Sequence, residues 1–309
     1  MTKESIIVMN TARDGGTSTE SQQAFAFVQA LATELSDGRV QLPSYPEVAL
    51  RVQRVLSSDD VNPAIVERAI GTEPALALRI MQMANSIALN PNGHEVSNLH
   101  TAVGRIGYNM VRNASVAFAM EQLRQASRLK PLKKSLDELW RRGVEVAALA
   151  ALIARRYTTV NPDVAMLSGL LHGIGKLYIL TRLADSPGLQ QFPEACERIS
   201  RDWHANVARA LLDNWEISAE VGQAVQEYED LERDTRGAPT LSDVLATAHL
   251  LATWDAEREA TPDTVVDLAV VLQSGQRVWQ RLKIDKAACE AVLVESAEEL
   301  AAMRAMLGA

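Results

Sequence analysis

"GTEPALALRIMQMANSI", residues 71–87, decides the fold class. Glu73-Pro74 is a helix start. Proline fixes φ near its helical value, and its missing N–H costs nothing in a first turn where that group has no partner. Behind it Leu76, Ile80, Met83 and Ala84 recur at spacings of three and four, which is one face of a helix. Asn85 and Ser86 can bond to backbone near the end of that helix, placed at about 73–89.

The same pattern recurs outward in both directions. Asn62-Pro63, Asn161-Pro162 and Thr261-Pro262 are further starts, followed by Ile65, Ala69 and Ile70 in one case and Val164, Leu167 and Leu171 in another. Runs with β-type alternation are scarce and aromatic residues make up only 5% of the chain. The expectation is an all-α multi-helix bundle. Its helices fall at about 18–36, 46–57, 62–71, 73–89, 98–106, 108–128, 132–157, 161–183, 191–214, 218–230, 240–257, 262–281 and 285–307. Pro131 breaks the chain between two of them, and "RDTRGAP" (233–239) is a loop.

Composition narrows the function classes. A 47% hydrophobic and 23% charged chain of 309 residues is an ordinary globular protein. Its net charge of −8 and the lack of a Lys/Arg-dense block argue against a broad grip on nucleic acid. Cys196 and Cys289 are far apart and read as buried thiols of a reducing compartment. The N-terminus lacks the apolar core of a secretion signal, and runs such as "VEVAALAALIA" (144–154) fall short of the ~20 residues that span a bilayer. The expected location is the cytoplasm.

Three ordered motifs resemble the HDOD domain, the HD-related output domain of bacterial signalling proteins. "LPSYPEVALRV" (42–52) is similar to the family's Leu-Pro-x-x-Pro entry, with Pro43 and Pro46. "GTEPALALRIMQMANSI" is similar to its Glu-Pro-Ala-Leu helix ending in Ala-Asn-Ser, with Pro74, Asn85 and Ser86. "VSNLHTAVGRIGYNMVRNAS" (96–115) matches a third pattern through Gly107, Arg112 and Asn113. Physically these residues start, stop and bend helices, and Gly107 is expected at positive φ between two of them.

The resemblance implies an HD-type helical core over the second half, where the superfamily holds metal with histidines and aspartates. Here that set is altered. Arg142 falls where the first histidine is implied, and "LLHGIGKLYIL" (170–180) has His172-Gly173 in place of a His-Asp pair. His204 is retained, Tyr228 and Glu229 replace a double histidine, and His249 replaces a distal aspartate. A dication among neutral imidazoles beside a fixed cation lacks charge compensation. His172, His204 and His249, 32 and 45 residues apart, could in principle hold zinc, or be hydrogen-bonded polar remnants. An Arg142–Glu229 ion pair could fill the space, and Arg142, His172 and Lys176 could line an anion cleft.

The implied organisation is a flexible tail at 1–17, an N-terminal helical half at 18–128, an HD-like half with the altered site at 129–257, and flanking C-terminal helices at 258–309. The implied function is a non-catalytic signalling module acting through protein partners, with no metal or other cofactor. A divergent metal-dependent phosphohydrolase acting on a nucleotide or cyclic dinucleotide is the alternative. A sensor binding a phosphorylated small molecule is a third. The C-terminal segment 285–309, with Ala288, Val292, Val294, Leu300, Met303 and Met306, offers either a partner-binding helix or a cap on the core.

Overall fold

A computed structural model of the chain describes residues 18–38, 42, 47–86, 89–90, 92–233, 237–260, 273 and 275–307. The expectations for the 1–17 tail, for Pro43 and Pro46, and for the Thr261-Pro262 start lie outside them. Among the described residues every regular element is helical.

The N-terminal half holds α1 (Ser18–Ser36), α2 (Glu47–Leu56), α3 (Pro63–Gly71), α4 (Pro74–Ala84) and α5 (Leu99–Gln125). Proline occupies the first turn of α3 and α4, and the Asn62 side chain accepts from the Ile65 amide at 3.1 Å. Helix α4 stops five residues short of its expected end because Asn85 is spent on a neighbouring loop. Its amide donates to the carbonyls of Met81 and Val96, and its oxygen accepts from the Val96 N–H at 2.8 Å. Ser86 bonds back to the Met83 carbonyl. Gly107 takes φ +78° and breaks the long α5 helix into the two expected pieces. Arg112 and Asn113, beyond it, donate to the backbone carbonyls of Leu56 and Asp163.

A 3₁₀ turn (Ser127–Leu132) containing Pro131 leads into α6 (Lys133–Tyr157), the central helix, buried from Val144 to Ala154 apart from Glu145. Helices α7 (Pro162–Leu171), α8 (Ile174–Ala184), α9 (Pro193–Asn214), α10 (Ala219–Glu227) and α11 (Leu241–Ala260) pack around it and one another. The single helix expected over 161–183 is two, divided at His172-Gly173. Close backbone contact dictates where they cross their neighbours. A Cβ on Gly169 would lie 2.4 Å from the Ala147 Cα, and one on Gly175 would lie 1.9 Å from the His204 carbonyl oxygen. Pro162–Ala184 is also long and apolar enough, by composition, to cross a membrane, which corrects the expectation that no stretch reached that length. It is divided by the turn and 78% buried within the protein, as a core element is.

The C-terminal part carries α12 (Gln276–Leu282), α13 (Lys286–Glu290), a π turn (Ala291–Glu295) and α14 (Ala297–Leu307), rather than one continuous helix over 285–307. Val292, Leu300, Met303 and Leu307 are buried, leaving Val294 exposed. Arg304 bonds Glu145, and Arg155 bonds Glu299, so α14 is fastened to the central helix α6. Of the two readings open for this apolar set, the packing favours the cap on the core: Val292, Leu300 and Met303 are buried, and Val294 is exposed.

Candidate functional site

The residues that sequence spacing could not bring together converge. Arg142 comes from α6, His172 from the end of α7, Lys176 from α8, His204 from α9, Tyr228 and Glu229 from the end of α10, and His249 from α11. Tyr228, 1% exposed, is their common neighbour. Its ring centre lies 5.6 Å from that of His172, 5.0 Å from His249 and 6.5 Å from His204. His172 and His249 lie 5.5 Å apart.

The hydrogen bonds fix the roles of these groups. The His172 Nδ1–H donates to the Gly169 carbonyl at 2.7 Å, which turns Nε2 toward the cluster. Glu229 is saturated. Lys176 reaches Oε1 at 2.8 Å, the Tyr228 hydroxyl donates to Oε1 at 2.9 Å, and His204 Nε2 lies 2.9 Å from Oε2. Because a carboxylate only accepts, His204 carries a proton on Nε2, and its Nδ1 is buried with no hydrogen-bond partner among the described residues. His249 Nδ1 is likewise buried and has no partner among the described residues.

Electrostatics follow from this packing. Burial drives His172 down to about 3, helped by His249, Lys176 and Arg142. Burial likewise takes His249 down to about 4, with Lys176 and Arg142 adding to the effect against Glu229. Both imidazoles are therefore neutral at pH 7. Burial pushes Glu229 upward, but hydrogen bonds from His204 and Lys176 outweigh it and hold the carboxyl well below its usual range. Burial beside Glu229 raises Tyr228 far above the usual phenol value. The Arg142 guanidinium is lowered by burial and by Arg141, against Glu145, Glu138 and Glu257.

The Arg142–Glu229 pair does not form among the described residues; Glu229 takes Lys176 instead. The reason is register: Lys176 stands one turn past His172 on α8, within reach of the carboxylate. Gly173 adds nothing to the cluster. A Cβ there would meet only Leu139 Cδ2, at 3.7 Å, so this glycine is not forced by close packing.

A second polar cluster lies outside the expectations drawn from the sequence. Asp243, 1% exposed, sits in the first turn of α11 and accepts from the Thr240 N–H at 2.8 Å and from the Thr240 hydroxyl at 3.0 Å. Its carboxylate also pairs with Arg233 and, at 2.9 Å, with Arg281 of α12. The signal was available: Thr240-x-x-Asp243 has the form of a capping box.

The HDOD domain family model matches residues 42–231, more than half of the chain. The chain is similar in structure to a protein of Shewanella amazonensis SB2B named provisionally as a metal-dependent phosphohydrolase. The TM-score is 0.72 at 26% identity, covering 94% of this chain and all of that one. It also resembles an HDOD domain protein of unknown function from Geobacter sulfurreducens, with a TM-score of 0.60 at 21% identity over 94% and 97% of the two chains. An uncharacterized protein of Treponema pallidum (strain Nichols) is 23% identical over 65% of this chain, and the match spans 40% of that protein's length.

Proposed function

The chain belongs to the HDOD domain family, and from that premise we propose that it is a cytosolic regulatory module of signal transduction. It acts through protein partners, without a reaction of its own, without inserting in a membrane and without gripping nucleic acid. The observation that carries this reading is Tyr228, whose ring touches all three histidines while its hydroxyl, Lys176 and His204 consume the Glu229 carboxylate.

The residues present fit a divalent metal poorly. His172 keeps the posture of a ligand, its Nδ1 tied to a carbonyl and its Nε2 turned inward. Around it, however, the one carboxylate is engaged, Gly173 supplies none, and Lys176 and Arg142 add positive charge. What these side chains do instead is join helices. Glu229 ties the end of α10 to α8 through Lys176 and to α9 through His204. Such a network specifies how helices sit against one another more than it adds stability, since Lys176 and Glu229 are about one-third exposed.

A second reading, a divergent phosphohydrolase, is favoured by the likeness to the Shewanella protein and by the His172 posture. The third, a sensor for a phosphorylated ligand, draws less support because Lys176 is neutralised by Glu229. Metal analysis of the purified protein, with turnover assays on generic phosphodiesters and cyclic dinucleotides, tests the first against the second. The expected result is no stoichiometric metal and no turnover. Near-equimolar iron, manganese or zinc with chelator-sensitive turnover overturns the proposal. Thermal stabilisation by nucleotides would favour the third reading, a ligand at 100 times its Kd adding ~2.7 kcal/mol.

A further inference from the structure

Helix α1 precedes the stretch that matches the HDOD family, which begins at residue 42, and its hold on the body is thin. Over its 19 residues, Leu31 alone is buried among the described side chains. Ala24, Phe27, Val28 and Leu35 are partly covered, and Phe25 is left 50% exposed. By contrast α9, of 22 residues, buries a face running from Ala195 to Leu212. The seat is imperfect as well. An open gap of about 380 Å³ lies between α1 and the turn that follows α8, so the side chains along it forgo contacts. The Gln23 amide oxygen is buried with no hydrogen-bond partner among the described residues. That disfavours the seated state, because release would return the acceptor to water.

What fastens α1 is polar. Glu34 accepts from the Tyr178 hydroxyl and from the Arg182 guanidinium, both on α8. Glu20 pairs with Arg198 of α9 at 3.3 Å, and the Asn214 amide donates to the Gly38 carbonyl at 3.2 Å. Gly38 takes φ +64° just past the helix, a joint that glycine adopts freely. On α8, Tyr178 and Arg182 are one turn apart on a common face. Lys176, which binds Glu229, lies ~200° and ~240° around the helix from them. Helix α8 is thus clasped between two carboxylates, Glu34 on one side and Glu229 on the other.

We propose that α1 is a strap that leaves the body as a unit while the rest stays folded, and that its seating regulates how firmly α8 is held beside the histidine cluster. The second part rests on the reading of that cluster as a network joining helices. Release gives up few apolar contacts and a handful of polar ones, offset in part by hydration of Gln23. It therefore lies well below global unfolding in free energy. Once α1 has left, Glu229 alone grips α8 by a charge.

Native-state hydrogen–deuterium exchange on the full chain, across sub-denaturing urea, tests this. Amides of α1 should be at least about 100-fold less protected than those of α6 between Val144 and Ala154, with one shared, shallow urea dependence. Glu34→Gln removes the charge that binds Tyr178 and Arg182 and should quicken α1 roughly tenfold, together with the last turn of α8. Tyr178→Phe, which keeps the packing and deletes one donor, should act in the same direction. The melting temperature of each variant reports that the body is intact. Amides of α1 as protected as those of α6 overturn the strap. So does protection that grades from one end of α1 to the other, which is fraying, or indifference of α1 to both variants. Quickening of α1 without α8 overturns the regulatory link, whatever the metal and turnover assays show.

Discussion

Two glycines sit two residues apart in "HGIGK" (172–176), and their replacement by alanine should have opposite effects. At Gly175 the new Cβ lies 1.9 Å from the His204 carbonyl oxygen and 2.8 Å from its carbon. A carbon–oxygen contact needs ~3.3 Å, so α8 and α9 must part by more than an ångström. The obstacle is helix backbone, which cannot rotate away as a side chain would. Overpacking of this kind costs ~3 kcal/mol, the upper end of its range. About 1 kcal/mol returns as improved helix propensity, leaving ~2 kcal/mol net. For a chain of 309 residues that lowers Tm by ~3 °C. At Gly173, with φ −89° and Leu139 Cδ2 at an ordinary 3.7 Å, alanine restricts only the unfolded chain. It should add ~0.4–1 kcal/mol. Thermal melts and urea titrations of both variants provide the measurement. A Gly175→Ala protein as stable as the parent, or equal losses at the two positions, would refute the close-approach argument.

Three further outcomes follow from the same geometry. His172 and His249 are held neutral, at about 3 and about 4, against an unfolded value near 6.5. Their contribution is therefore full above pH 6.5 and is lost as pH falls toward 4 and then 3, because the unfolded chain takes up protons first. Stability measured by urea titration should drop by up to ~1.4 kcal/mol per pH unit for each histidine in that window, and His249→Gln should flatten the curve. Asp243→Asn leaves Arg233 and Arg281 facing a neutral amide, so it should cost ~3–5 kcal/mol and quicken hydrogen exchange in α12; an unchanged melt would refute that. Gly173→Asp alone should yield a folded protein without phosphodiesterase activity, since Lys176, Arg142 and the Tyr228 ring remain; measurable turnover would count against the proposed function.

Local chemistry made much of the fold readable. Pro63, Pro74 and Pro162 each sit in the first turn of a helix, and Gly107 takes its positive φ, because one residue's own backbone preference determines such features. The break at His172-Gly173 was hidden, since both sides are equally apolar and only the crossing of neighbouring helices divides them. The convergence of the histidines was hidden for the same reason: residues far apart in the chain meet only through tertiary packing. The choice of Lys176 over Arg142 as the partner of Glu229 depends on which helix turns which face inward, and composition is silent on that. The sequence marks Tyr228 only as a replacement, and its position beside every imidazole of the cluster is a fact of packing alone.

Asp243 has a consequence for the order in which the chain is synthesised. Proteins emerge N-terminus first, so Arg233 and Thr240 are present to meet this carboxylate as soon as α11 begins to form. Arg281 arrives nearly forty residues later. The charge is thus half-compensated in a nascent chain that still lacks its C-terminal helices, and the helical core can close around it without waiting. When α12 follows, Arg281 is directed to its place by a carboxylate already oriented by Thr240 and Arg233. Arg281 thus ties the last helices to a carboxylate whose other partners all lie earlier in the chain.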